Sequence, residues 1–135
     1  MISLDFPTIA ERLDALELPH VDLVVGIATG GIAPATLIAY KKRTDLLILQ
    51  FNYRDEQNKP RFEHPVRQSE ISIPDGVRSI LLVDDVSVSG KTLDAARAFL
   101  KEYDITTLVM KGKADYVVLP EIGDCVDWPW KIKRG

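Results

Sequence analysis

The sequence predicts an α/β fold, a parallel twisted sheet with helices on both faces. Short runs rich in Val, Ile and Leu, such as Leu23-Val24-Val25 with Ile27, and Ile80-Leu81-Leu82-Val83, carry no polar alternation, the pattern of strands buried on both sides. These runs alternate with segments of helical spacing, and that order builds a parallel sheet with crossover helices. Three strand ends also hold unusual chemistry, at the edge where such sheets bind ligands: Ala28-Thr29-Gly30-Gly31, the stretch after Tyr53, and Asp84 to Thr92.

Residues 4–18 carry apolar Ile9, Leu13 and Leu16 at helical spacing, with Pro7 suited to a first turn and Pro19 as a stop. A strand over 21–28 follows, then the Gly30-Gly31 break and a helix over 32–43 with basic residues in its last turn. Residues 46–53 form the next strand. The stretch 54–67 is polar, holds Pro60 and Pro65 and lacks periodicity, so it predicts a long mobile excursion of the kind that is often functional. Residues 70–73 are expected to return as a short strand before the Pro74-Asp75-Gly76 turn. Strands over 78–83, 105–110 and 116–119 and a helix over 92–103 complete the set. With 135 residues, one domain spanning 1–135 is expected.

Composition excludes several classes. A net charge of −3 argues against sequence-independent nucleic-acid binding, and Lys131, Lys133 and Arg134 read as a solvated basic tail. The single Cys125 rules out an intramolecular disulfide, and His20 and His64 stand too far apart for metal-ligand spacing. No apolar run approaches the ~20 residues that span a bilayer, and the expected address is cytoplasmic.

The segment Leu81-Leu82-Val83-Asp84-Asp85-Val86-Ser87-Val88-Ser89-Gly90-Lys91-Thr92 reads as a unit. An apolar strand delivers two adjacent carboxylates, then a hydroxyl-rich turn leads into a helix whose first amides form an anion site. Gly90 lets backbone approach a phosphate, and the carboxylates suit ribose hydroxyls or Mg²⁺ through water. A nucleotide-binding P-loop would need glycine where Asp85 stands. A simple helix cap explains Ser89 but not the two acids before it.

This run resembles the phosphoribosyl pyrophosphate (PRPP) motif of the type I phosphoribosyltransferases, with Asp84, Asp85, Gly90 and Thr92 in register and Ser89 in place of threonine. The resemblance implies that Asp84 and Asp85 act as the catalytic pair, holding the ribose 2- and 3-hydroxyls. The segment Ser87, Val88, Ser89, Gly90, Lys91 and Thr92 would cradle the 5-phosphate. The stretch Ala28, Thr29, Gly30 and Gly31 looks like the family's pyrophosphate loop, which often contains a non-proline cis peptide. It departs from the family at Thr29, where a basic residue is common. Residues 52–67, which include the 54–67 excursion, correspond to the family's flexible loop, in which Tyr53, Lys59, Arg61 and Arg67 would shield the site and neutralise the leaving pyrophosphate.

Residues 110–130 resemble the bacterial xanthine-guanine branch of the family and would form a small base-binding hood over about 111–135. There Lys111 would donate to the exocyclic oxygen of a 6-oxopurine, or be a solvated strand-end lysine, and Cys125 and Val126 would line the base. Cys125 stands where the branch has an aromatic residue, so Trp128 either stacks on the base or, like Trp130, packs in a core. Val88 stands where 6-oxopurine enzymes usually place an aspartate as general acid/base. By resemblance the protein is a Mg-dependent transferase joining guanine, xanthine or hypoxanthine to ribose 5-phosphate, with Mg²⁺ held at Asp84 and Asp85 mostly through water and PRPP. It would be a homodimer or homotetramer. The alternative is a non-catalytic PRPP- or nucleotide-binding regulator.

Overall fold

The computed structural model describes residues 1–52, 66–67 and 71–131. Eleven elements follow in chain order: β1 (Ile2–Ser3), α1 (Phe6–Ala15), β2 (Leu23–Ala28), α2 (Ile32–Lys42), β3 (Asp45–Asn52), β4 (Val66–Arg67), β5 (Ser79–Ser87), α3 (Lys91–Phe99), β6 (Asp104–Gly112), β7 (Tyr116–Val117) and β8 (Val126–Asp127). The main sheet has the order β4-β3-β2-β5-β6-β7. Strands β3, β2, β5, β6 and β7 are parallel, as the sequence predicts, and β4 adds an antiparallel edge.

The apolar strands serve two cores by simple alternation. Val24, Leu81, Val83, Leu108 and Met110 join Ile9, Leu13, Ala35 and Ile38 on the α1/α2 face. Leu23, Val25, Ile27, Ile80, Leu82 and Val109 join Leu93, Ala96 and Leu100 on the α3 face. Continuous Val/Ile/Leu runs are therefore two interleaved sets, each buried against its own helix layer.

Helix α1 is capped by Asp5, whose Oδ1 accepts from Thr8 N at 2.9 Å, with Pro7 in the first turn. It stops at Ala15, short of the expected 18. Leu16 turns extended, and Leu16 and Leu18 pack against the α1/α2 core instead. The last carbonyls are met from α2, where Lys41 Nζ donates to Leu13 O (3.0 Å) and Asp14 O (2.7 Å). Helix α3 likewise ends at Phe99 rather than 103, because Leu100 is drawn into the core.

The return strand expected at 70–73 is not where the chain pairs. Residues 66–67 pair instead, with Phe51 opposite Arg67, and Ile71 and Ile73 pack against the α3-side core outside any strand. The end of the excursion read as mobile, at 66–67, is thus a sheet edge, and residues 53–65 lie outside the described part.

At the amino ends of β2 and β5, Asp22 Oδ2 accepts from Arg78 N (2.9 Å) and Ser79 N (3.0 Å). These bonds, that to Arg78 first, hold the Asp22 carboxyl down at about 2. A second, two-stranded parallel sheet was not anticipated: Ile2 pairs with Val126 and Ser3 with Asp127. Two-residue strands carry too little periodicity to be read in a sequence. Arg12, donating to Val118 O at 2.8 Å and paired with Glu121, ties α1 to the same C-terminal segment.

Candidate active site

Strand β5 runs four residues past Val83, so the two acids sit within the strand rather than in the turn after it. Pleating turns neighbours to opposite sides: Asp84 follows Leu82 toward the α3 face, and Asp85 follows Val83 toward α2. Asp85 N donates to Asp84 Oδ1 (2.8 Å) and Val86 N to Asp85 Oδ1 (2.7 Å). Burial, then the negative charge of Asp85, pushes the Asp84 carboxyl up to about 8.

The carboxyl end of β2 meets this pair. Residues 28–31 turn from β2 into α2, with the Ala28–Thr29 peptide cis, as the resemblance implied. Gly31 N donates to Ile27 O at 2.8 Å and Ile32 N to Thr29 O at 3.1 Å, which folds the loop tightly. Gly30 lies directly against the Asp85 carboxylate, and any Cβ at residue 30 would land on those oxygens. A side chain there would have to displace the neighbouring carboxylate. Thr29 is exposed.

Beyond β5 the turn is built on Ser87 and Gly90. Ser87 is buried, and its carbonyl accepts from Lys113 N at 3.0 Å. Gly112 has φ +113°, and its Cα abuts the Ser87 backbone so closely that no Cβ fits. Ser89 Oγ accepts from Lys91 N (3.3 Å), and Gly90 (φ 81°) caps α3, with Asp94 N donating to its carbonyl at 2.9 Å. The amide-rich start of α3 thus follows the acids after residues 86–90, with Thr92 half-buried in its first turn. Val88 projects outward, 80% exposed.

The residues expected on the base side form a second group. The Lys111 ammonium donates to the carbonyl of Asp124, next to Cys125, whose own carbonyl accepts from Ile2 N at 3.0 Å. Lys111 is thus bonded to the segment preceding β8, not a free strand-end lysine. Cys125 is exposed and Val126 half-buried in β8. Trp128 is 3% exposed within the α1/α2 core, which assigns it to packing, and Trp130 stacks on it with centroids 5.1 Å apart. Tyr53, Lys59 and Arg61 lie outside the described residues; Arg67 is in β4, with its side chain likewise outside. The expectation of a solvated tail fails at Lys131, whose Nζ lies 3.5 Å from Asp85 Oδ2. Nothing local in the sequence announces that contact.

The phosphoribosyl transferase domain family matches residues 10–131. The chain belongs to that family. Its fold is similar to the purine phosphoribosyltransferase of Pyrococcus horikoshii, at 20% identity and TM-score 0.77 over 99% of this chain and 96% of the other. It is also similar to the Helicobacter pylori xanthine-guanine-hypoxanthine phosphoribosyltransferase, at 16% identity and TM-score 0.80 over 97% and 94% of the two chains. A curated relative, the bifunctional protein PyrR of Syntrophobacter fumaroxidans, is 33% identical over 87 residues, 59% of this chain. That match spans 47% of the relative, so the chain covers about half of its length.

A cavity of about 910 Å³ between α1 and α2, lined by Leu13, Leu37, Tyr40 and Thr44 among others, shares no residue with these loops. The candidate site is therefore argued from the chemistry of its residues and not from that hollow. Among the described residues no helix is long and apolar enough to cross a membrane.

Proposed function

We propose that the protein transfers ribose 5-phosphate from PRPP to a 6-oxopurine, guanine, xanthine or hypoxanthine, releasing pyrophosphate. The observation that carries this is the contact of Gly30 with Asp85, which joins the 28–31 loop to the acid pair at adjacent strand ends. A ligand with a sugar between two phosphate groups suits that arrangement. Asp84 and Asp85 accept from the ribose hydroxyls, the amides and hydroxyls of Ser87 to Thr92 receive the 5-phosphate, and the 28–31 backbone faces the pyrophosphate. Catalysis then rests on holding the reacting atoms in line and on electrostatic relief of the departing pyrophosphate.

Among the described residues no group of three or more His, Cys, Asp or Glu side chains is placed to hold a metal ion. The donor set still fits Mg²⁺, which binds through one or two carboxylates completed by substrate phosphates and water. An acid pair in which burial and like charge oppose ionisation of Asp84 is also one that a dication relieves. Bound there, Mg²⁺ supplies charge neutralisation to the pyrophosphate.

Lys111 supports the choice of base, since a donor at that point pairs with an exocyclic oxygen and opposes adenine's amino group. Val88 supports a second reading, a PRPP- or nucleotide-binding regulator without turnover, because its exposed side chain transfers no proton. The test is pyrophosphate release from PRPP and Mg²⁺, with guanine, xanthine, hypoxanthine, adenine, uracil and orotate added singly. Release with a 6-oxopurine is expected. Release with another base discards the base assignment, and nucleotide binding without release with any base establishes the regulator.

A further inference from the structure

The 26–34 segment, Gly-Ile-Ala-Thr-Gly-Gly-Ile-Ala-Pro, contains no cationic side chain, although the anion assigned to it carries several negative charges. Backbone amides alone leave such a charge under-neutralised when water is excluded. A cation stands nearby from a distant part of the chain. Lys131 Nζ lies 3.5 Å from Asp85 Oδ2, and the Asp85 carboxylate rests on Gly30. The ammonium is thus one carboxylate away from the 28–31 loop.

The backbone carrying it is fixed by packing, while the side chain is held only by its exposed pairing with Asp85. Lys131 N donates to Trp128 O at 3.1 Å, Trp128 is buried, and the Trp130 ring is held by Trp128 and by Phe6, centroids 6.1 Å apart. The Lys131 side chain is 59% exposed, so its pairing with Asp85 is the kind that water screens and a stronger anion displaces. A four-carbon stem gives the ammonium several ångströms of reach without moving its Cα.

Resting on the phosphoribosyl reading above, we infer that Lys131 is the pyrophosphate-binding cation that the 28–31 loop lacks, held at Asp85 until ligand arrives. When ribose hydroxyls donate to Asp85 they replace the ammonium there, and the ammonium moves to the pyrophosphate. Each group keeps a partner of complementary charge or hydrogen-bonding sense throughout. The C-terminal segment thereby supplies part of the anion site from the opposite end of the sequence.

The test is calorimetric titration of the full chain with magnesium pyrophosphate and, separately, with ribose 5-phosphate. Lys131→Ala is expected to weaken magnesium pyrophosphate about tenfold, the loss of one charged hydrogen bond, while ribose 5-phosphate binding stays at wild-type strength or tightens, Asp85 having no ammonium to release, and the thermal midpoint stays near wild type. Lys131→Arg should retain most of the affinity, and Thr29→Lys added to Lys131→Ala should recover it by placing a cation on the loop itself. Unchanged or tighter pyrophosphate binding in Lys131→Ala overturns the assignment, the tighter result making Lys131 a competitor for Asp85. Failure of the wild-type chain to bind either ligand refutes the phosphoribosyl reading and this assignment with it.

Discussion

Replacing Gly30 by alanine tests whether the two strand ends meet as described. Gly30 has no left-handed φ, so its backbone accepts alanine, and the obstacle is the Asp85 carboxylate where the new methyl would sit. A carboxylate can rotate away, but Asp85 then loses its 2.7 Å bond from Val86 N and its 3.5 Å pairing with Lys131. The bond to a charged acceptor is worth about 1.5–3 kcal/mol, and a pair as exposed as Lys131's adds at most about 1 kcal/mol. Restricting the unfolded chain returns about 0.4–1 kcal/mol. The net expectation is about 1–3 kcal/mol of destabilisation, together with at least a tenfold loss of PRPP-dependent turnover because Asp85 is displaced from ribose. Urea unfolding of wild type, Gly30→Ala, Asp85→Ala and the double variant closes the cycle. Alanine at residue 30 should cost little or nothing once Asp85 is also alanine. An equal cost in both backgrounds would show that the carboxylate is not the obstacle and would remove the contact on which the site is built.

Two further outcomes follow from groups outside that contact. The Asp22 carboxyl, held at about 2 against an ordinary 3.8, contributes stability above about pH 4 that disappears as pH falls through about 2. Asp22→Asn should therefore flatten the acid limb of a stability profile followed by urea midpoints, and parallel limbs in the two proteins would contradict the hydrogen-bonding account. Val88→Asp places a proton-transferring group at an exposed site where no core packing is lost, so folding should be unaffected and 6-oxopurine turnover kept or raised, by up to about a hundredfold. Complete loss of activity in steady-state assays of that variant would show that the base pocket is aligned otherwise.

The parallel sheet was legible because Leu23 to Ile27 and Ile80 to Val83 are apolar without alternation, and only burial on two faces permits that. The acid pair and the Gly30-Gly31 turn were legible because residue types at fixed local spacing carry their chemistry with them. Helical spacing runs on to Leu18 and Tyr103, but the helices end sooner, where partly buried Leu16 and Leu18 and buried Leu100 pack on the cores instead of continuing the helix. Ile71 and Ile73 alternate like strand residues and so predict the return strand at 70–73, whereas the chain pairs at 66–67 and uses those isoleucines for packing. Lys131 reads as solvated tail because a basic cluster looks the same in sequence whether it faces water or an acid. Its position depends on the Trp128 and Trp130 packing and on the β1–β8 pairing, contacts that no local pattern encodes.

Strand β5 is also a ruler. The pleat that sends Leu81 and Val83 to one core and Ile80 and Leu82 to the other goes on to send Asp85 toward α2 and Asp84 toward α3. Core and chemistry therefore share one phase. A single residue inserted or deleted between Ser79 and Val83 would invert both at once, turning the wrong carboxylate to Gly30 as it turned the wrong leucines to each helix layer. Changes in the length of the chain after Ser87, where the strand ends, leave the face taken by each carboxylate unaltered.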